Sequence, residues 1–257
     1  NIYSNYAGGG NDIVYQAYDL ISLHVVVDTF TVLEPTTHNI EGIFGGNENM
    51  FPYDINYRYF DPVDSDLYVS PTGSNENNGL SEEVPLRTIS FALNKIVSNP
   101  SSPNNIYLSE GIYSPESELM DEYHYFPTND QYFPLNVKSN VSIIGNSISQ
   151  TILDIDSVYS GIFALVDTNV SLVNMTIKNG YSGFGGVLWS MNSDVEMHNM
   201  LLYDNYGEDG SVLNAMFSNI KFVKVTITNN TSYQNEYSGI FEIASSNIEI
   251  INSIFWN

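Results

Sequence analysis

The chain has no cysteine, and only seven of its 257 residues are lysine or arginine. The first absence excludes disulfides, thiolate metal sites and cysteine nucleophiles. The second is set against thirty acids and a formal net charge of −23. Phosphate binding needs clustered Lys and Arg, so no nucleic acid partner is expected, and anionic membrane surfaces are disfavoured for the same reason. No apolar run reaches the roughly 18 residues of a membrane-spanning helix, which argues against membrane insertion. The opening residues, Asn1 to Gly10, lack the basic start and apolar stretch of a cleavable leader. If the protein is exported, its leader lies outside these residues. Export itself is compatible with the lack of cysteine, because a large β-protein can build its core without disulfides. What is present is ample apolar material, 42% of residues, together with abundant Asn, Ser, Thr, Tyr and Gly. That is enough for a sizeable core under a weakly charged, amide-rich surface. The net acidity suits solubility, cation binding or salty surroundings.

Internal repeats organise the second half of the chain. Five segments align without gaps, starting at Asn140, Asn169, Asp194, Asn219 and Asn247. The starts recur at a period of roughly 25 residues, and with strand-like content that period suits one coil of a β-solenoid. Within each segment the residues alternate. Val170 and Leu172, Val195 and Met197, Ile220 and Phe222, and Ile248 and Ile250 should point inward. Ser171, Glu196, Lys221 and Glu249 lie between them and should stack outside as a surface charge ladder, with a catalytic acid–base–acid group as the alternative. A second strand follows in each coil, from Gly161, Gly186, Ser211 and Gly239. Its offset from the coil start varies slightly, so the variation belongs to the loop between the strands. Asn174, Asn199 and Asn252 form one polar row broken by Lys224, and Asn179, Asp204, Asn229 and Asn257 form another. Asn tolerates left-handed turns, and its amide can bond to the amide of the next coil, so these rows are expected to mark bends.

Ahead of the repeats, Ile89, Ala92, Leu93, Ile96 and Val97 recur at helical spacing, predicting an amphipathic helix near residues 86–98. A helix there would cover the open end of the solenoid and its unpaired strand edge. Residues 104–114 read as strand, turn, strand. Residues 1–33 can be laid beside the repeats as a partial coil ending a preceding segment, and 34–66 read as a loop-rich connection. The expected organisation is then an opening segment over 67–139 and coils over 140–257 that stop mid-coil, as a piece of a longer protein.

The stretch from Leu67 to Ile96 carries a resemblance. Tyr68 and Val69, then Gly73, Asn75, Asn77 and Gly79, then Pro85, Leu86, Thr88 and Ile89 match a Tyr-Val strand, a Gly-Ser-Asn loop and a Pro-Leu-x-Thr-Ile helix start. This resembles the opening segment of secreted bacterial pectate-lyase-like right-handed β-helix proteins of the surface or outer-membrane-exported type. The likeness continues through the Gly145 turn, covers residues 67–257 well and is loose over 1–33. It implies a right-handed parallel β-helix at the cell surface or outside the cell. It implies no particular activity, because the same fold hosts lyases, hydrolases, adhesins and stalks.

The chemistry such a fold can carry has few candidates here. A lyase of this kind needs carboxylates on calcium and an Arg or Lys base, yet from Asn140 onward the only bases are Lys178, Lys221 and Lys224. A hydrolase needs converging carboxylates. Asp204, Glu208 and Asp209 are the candidates, expected in a variable loop, where calcium binding or a solvated turn are the competing readings. The oxygen-rich loop from Gly73 to Glu83, with Asn75, Glu76 and Asn77, would suit calcium, or else form a capped turn into the helix. Trp189, on an outward row with Ala164, Asn214 and Glu242, together with Tyr181 and Tyr206 in neighbouring loops, could stack on sugar rings. His24, His38, His124 and His198 show no metal-ligand spacing. The Tyr- and Phe-rich stretch 121–134 is a candidate contact surface, or a flap over the side of the solenoid. The reading that follows is an all-β, right-handed parallel β-helix with no catalytic residues assigned and no cofactor beyond a candidate Ca2+. It would be a structural or adhesive module of a large extracellular or cell-surface protein, taking a polysaccharide, another surface protein or itself as partner. The alternative is a polysaccharide lyase or hydrolase of the same superfamily.

Overall fold

The computed structural model describes residues 63–115, 134–155, 161–233 and 239–256, together with four strands nearer the start of the chain. Those four lie in a first compact unit: β1 (Ile13–Tyr15), β2 (Val25–Phe30), β3 (Ile40–Gly42) and β4 (Tyr53–Arg58). β1 pairs with β3 and β2 with β4, both parallel, with Ile13 opposite Ile40 and Val25 opposite Tyr53. The stretch 34–66, expected to be a loop-rich connection, therefore contains two strands. Each follows its partner by the length of one solenoid coil.

The second unit is the solenoid proper. It opens with β5 (Leu67–Val69) and α1 (Ile89–Lys95). Two two-strand coils follow: β6 (Asn104–Leu108) with β7 (Gly111–Tyr113), then β8 (Val141–Gly145) with β9 (Thr151–Asp154). Two full coils come next: β10 (Phe163–Val166), β11 (Asn169–Lys178) and β12 (Tyr181–Phe184), then β13 (Leu188–Met191), β14 (Asp194–Tyr203) and β15 (Tyr206–Asp209). The third comprises β16 (Leu213–Met216), β17 (Asn219–Thr228) and β18 (Thr231–Ser232), and the last β19 (Phe241–Ala244), β20 (Asn247–Ile251) and β21 (Ile254–Trp256). All pairings are parallel, each strand bonding to its equivalent one coil away. The main sheet runs β20-β17-β14-β11-β8-β6-β5, a second runs β10-β13-β16-β19 and a third β12-β15-β18. The parallel β-solenoid predicted from the repeat period is thus the fold.

Register follows the sequence alignment residue by residue. Val170, Val195 and Ile220 stack, as do Leu172, Met197 and Phe222, and all six are at most 3% exposed. In the last coil Ile248 and Ile250 stack on Ile220 and Phe222 from one side only; Ile250 is consequently 49% exposed. Phe222 also stacks on Phe241, with ring centroids 5.3 Å apart. Apolar rows of this kind give each coil a face it can bury only against its neighbours, which is why solenoid stability is a sum of coil–coil interfaces.

The long strands β11, β14 and β17 each turn a corner. Asn174, Asn199 and Lys224 sit at φ of 58°, 52° and 55°, as does Asn252 at 49°. A second left-handed row comprises Asn179, Asp204 and Asn229, the expected bend row, whose last position, Asn257, lies outside the described residues. A third row escaped the sequence reading: Asp167, Asn192, Phe217 and Ser245, at φ of 50–54°. Its mixed chemistry hid a purely conformational requirement. The length variation between strands falls at 156–160 and 234–238, outside the described residues.

The helix is shorter than its apolar spacing predicts. Ile96 is already extended, and Val97 N–H donates to the Val63 carbonyl at 2.9 Å while Val63 N–H donates to Lys95. Parallel bridging to Val63 outcompetes another helical turn, so Ile96 and Val97 leave the helix. Thr88 caps its start by accepting from Phe91 N–H. Ile89, Ala92 and Leu93 are buried in the same core as β5, the edge strand of the main sheet, and β6.

Candidate functional site

The loop expected to suit calcium spends its amides on itself. Asn75 Oδ1 accepts from the N–H groups of Arg87 and Thr88 at 3.0 and 3.1 Å, and its Nδ2 donates to Thr88 Oγ1. Asn77 Nδ2 donates to the Pro85 carbonyl at 2.8 Å. The loop is thereby folded back onto the start of α1. Gly79 holds φ at +76°, where a Cβ would also strike Leu86, so glycine is needed there. Glu76 is exposed beyond this network.

Asp204, Glu208 and Asp209 do not sit together in a loop. Asp204 occupies a left-handed corner and accepts from Asn229 Nδ2. Glu208 and Asp209 lie at the end of strand β15 and are both exposed. Pairing of β15 with β12, Tyr181 opposite Tyr206 and Phe184 opposite Asp209, is what makes this segment a strand. Among the described residues no group of three or more His, Asp or Glu is arranged to hold a metal ion.

Instead, side-chain carboxylates and amides are wired between coils. Asp154 Oδ1 accepts from Asn179 Nδ2 at 2.7 Å, and Asp194 Oδ1 from Asn219 Nδ2 at 2.7 Å. Asp167 accepts from Asn192. Asn199 donates to Asn174, and Asn247 to Asn219, at 2.8 Å each. Lys178 also reaches Asp154 at 2.8 Å, and that bond raises the lysine above its ordinary range. A buried ladder runs inside this one. Asn205 donates to Asn230 Oδ1 at 2.9 Å and accepts the Gly180 N–H at 2.9 Å, and Ser193 and Ser218 repeat the device at another corner. Sequence reasoning missed both: Asn205 and Asn230 stand one position after the Asp204–Asn229 row that stood out, and Ser193 and Ser218 follow the left-handed row that had itself escaped notice.

Ser171, Glu196, Lys221 and Glu249 stack in register along the outside of the main sheet, as the alternation required. Glu196, Lys221 and Glu249 flank a shallow groove of about 390 Å³ shared with Asp194, Asn219 and Asn247. Lys221 Nζ lies 4.0 Å from Glu249, with both side chains well exposed. Water screens such a pair, which is worth little more than a surface contact. His198 is half-buried in the row of Val173 and Val223.

Tyr181 and Tyr206, expected in loops, sit on β12 and β15 with ring centroids 5.0 Å apart and planes tilted by 32°. Partial burial, with Tyr181, Glu208 and Tyr233 nearby, holds the Tyr206 hydroxyl above its usual range. Trp189 lies on β13, in register with Ala164, Asn214 and Glu242, half-buried on the outward face of the second sheet. The three aromatic residues thus occupy two different sheets. His24, His38, His124 and the aromatic stretch 121–133 lie outside the described residues.

Comparison with known proteins adds no relative: no family model, no curated protein and no solved structure matches the chain. No helix among the described residues is long and apolar enough to cross a membrane.

Proposed function

We propose that this chain is a non-catalytic, structural or adhesive module of a large extracellular or cell-surface protein, and that its solenoid is right-handed and pectate-lyase-like. The handedness is supported by the near-universal preference of parallel crossovers. The observation that carries the functional reading is the use made of its carboxylates. Asp154, Asp167, Asp194 and Asp204 each accept an amide from the coil that follows. A carboxylate fixed in a repeating interturn bond serves stacking, and a catalytic acid or base needs a free face toward substrate. The product of such wiring is a long, regular side surface suited to repeated weak contacts with a polysaccharide or another surface protein.

The test is incubation with neutral and acidic polysaccharides, with and without calcium. Product is followed by reducing ends and by absorbance of unsaturated uronates, and binding by retardation in glycan-containing gels. The expected result is retardation without cleavage. Release of reducing ends or unsaturated products would overturn the reading in favour of a lyase or hydrolase. A calcium-dependent rise in melting temperature would identify an ion that stabilises the module.

A further inference from the structure

The outward face of the second sheet differs from the rest of the solenoid. Its two outward columns are Ala164, Trp189, Asn214 and Glu242, and Val166, Met191, Met216 and Ala244, stacked in register. Val166 is 38% exposed and Met216 36%, and Phe217 beside them is 61% exposed, whereas Asn214 in the first column is 6% exposed and donates to the Asp209 carbonyl. Parallel sheets are ordinarily covered on both faces, and a contiguous apolar patch on a soluble surface marks a contact. Phe217 adds an independent reason. It holds a left-handed φ of +53° where the previous coils place Asp167 and Asn192. A bulky side chain in that region is strained, and one that projects into solvent contributes nothing to the core in return. Strain retained without a folding benefit points to a use.

Charge decides what the face can take. In residues 161–256 of the described structure, the three lysines, Lys178, Lys221 and Lys224, all belong to β11 and β17 of the main sheet. Beyond the Leu135–Phe163 bridge that extends the second sheet stands Lys138, whose ammonium donates to the carbonyls of Asn94 and Ile96 at 3.2 and 3.0 Å. The second and third sheets and their corners carry Asp167, Glu208, Asp209 and Glu242, all exposed. An apolar strip beside exposed acids, with its neighbouring lysine already bonded to main-chain carbonyls, complements a polypeptide that is apolar on one side and basic around it. Trp and Met are suited to such a surface, the first as a large rigid anchor and the second as an adaptable one.

We propose that the outward face of β10, β13 and β16, centred on Trp189, Met191, Met216 and Phe217, is a docking site for a cationic amphipathic segment of a partner protein. The proposal rests on the functional reading above only in treating the side of the solenoid as a binding surface. Its probe is a synthetic amphipathic peptide of leucine and lysine, titrated into the full chain at about 0.15 M salt, where the Debye length is roughly 8 Å. Trp189 and Trp256 are the only tryptophans, so Trp256→Phe leaves Trp189 as the single reporter. The expected result is a blue shift of Trp189 emission that saturates. Affinity should fall on the order of tenfold, about 1.4 kcal/mol, in a Met216→Ser, Phe217→Asn double variant. It should change less than about twofold in Glu196→Gln, because Glu196 stands on the main sheet and not on the face proposed to dock the peptide.

An unshifted Trp189, an equal affinity for a lysine–serine peptide of the same charge, or an unweakened double variant would each overturn the proposal. So would a Trp189 shift with cello-oligosaccharides and none with the peptide, which would assign the face to glycan. Polysaccharide cleavage would sink the non-catalytic reading and leave the peptide result standing. Retardation by glycan with no peptide binding would do the reverse.

Discussion

Asn205 makes the sharpest test of how the coils are held together. It is 1% exposed, and its amide meets four groups. Nδ2 donates to the carbonyls of Ile177 at 3.3 Å and Tyr203 at 3.1 Å and to Asn230 Oδ1 at 2.9 Å, while Oδ1 accepts the Gly180 N–H at 2.9 Å. Truncation in Asn205→Ala removes all four bonds and strands the Gly180 N–H away from water. A net bond is worth about 1 kcal/mol, and a buried polar group left unpaired costs about 1–3 kcal/mol. The expected loss is therefore about 3–5 kcal/mol, at the top of the range for single substitutions. Urea unfolding followed by circular dichroism measures it, with the slope unchanged if only stability has moved. Hydrogen exchange at the Gly180 amide should accelerate in the same variant, because its acceptor is gone. Asn219→Ala is the matched comparison. Asn219 makes the same kind of interturn amide bonds, to Asp194 and from Asn247, but it is exposed, and water can replace what it loses. Its cost should stay below about 1 kcal/mol. Equal losses for the two variants, or an Asn205→Ala loss below about 1 kcal/mol, would refute the claim that buried amide ladders fasten the coils.

Three further perturbations have signs set by the structure. Lys224 occupies a left-handed corner between Asn199 and Asn252, so Lys224→Asn should raise stability by about 1 kcal/mol, seen as a higher urea midpoint. Ser211 is fully buried, and its Oγ has no hydrogen-bond partner; Ser211→Ala should keep the packing, remove the orphaned hydroxyl and stabilise by about 1–2 kcal/mol in the same assay. Tyr113 is 3% exposed and donates its hydroxyl to the carbonyls of Val69 and Ser109, and burial pushes its titration well above the usual tyrosine range. A pKa raised in the folded state means that this contribution is fully present below about pH 10, the unfolded tyrosine value, and is lost as pH rises beyond it. Tyr113→Phe should cost about 1–2 kcal/mol at neutral pH and flatten the stability decline above about pH 10, measured by melts across alkaline buffers.

The interturn wiring has a consequence for how the chain tolerates its charge. With thirty acids against seven bases, stacking coils about 4.8 Å apart would set carboxylate above carboxylate. In the corner rows and at the strand starts the pairing is Asp with Asn: Asp167 under Asn192, Asp204 under Asn229 and, at the starts of β14 and β17, Asp194 under Asn219. Each carboxylate meets an amide N–H in place of a like charge. Along the outer strand row Lys221 stands between Glu196 and Glu249 to the same effect. The abundance of Asn is thus tied to the acidity, since the amide is the neutral partner that fits the same turn.

Everything that depends on period is legible in the chain alone. Recurrence of the strand pattern at one-coil intervals predicted the parallel solenoid, and apolar–polar alternation placed Val170, Leu172, Val195, Met197, Ile220 and Phe222 inside. The observed register reproduces that alignment, because a slip by one position would turn each apolar row outward. The Asn174–Asn199 and Asn179–Asp204–Asn229 rows were legible as bends, because few side chains accept a left-handed corner. Features that depend on a neighbouring coil emerged only when the coils were stacked. Phe217 and Ser245 carry no sequence signal for their left-handed corner, which is imposed by the coils they stack on. Ile96 and Val97 read as helix by spacing and are extended, because Val63, far earlier in the chain, offers them backbone partners. Glu208, Asp209, Tyr181 and Tyr206 read as loop and became strand, because parallel pairing between coils supplies hydrogen bonds that a single coil cannot. The exposed apolar face around Met216 belongs with these. Alternation alone marks its residues as outward, and only the stacked coils show them gathered into one surface beside exposed acids.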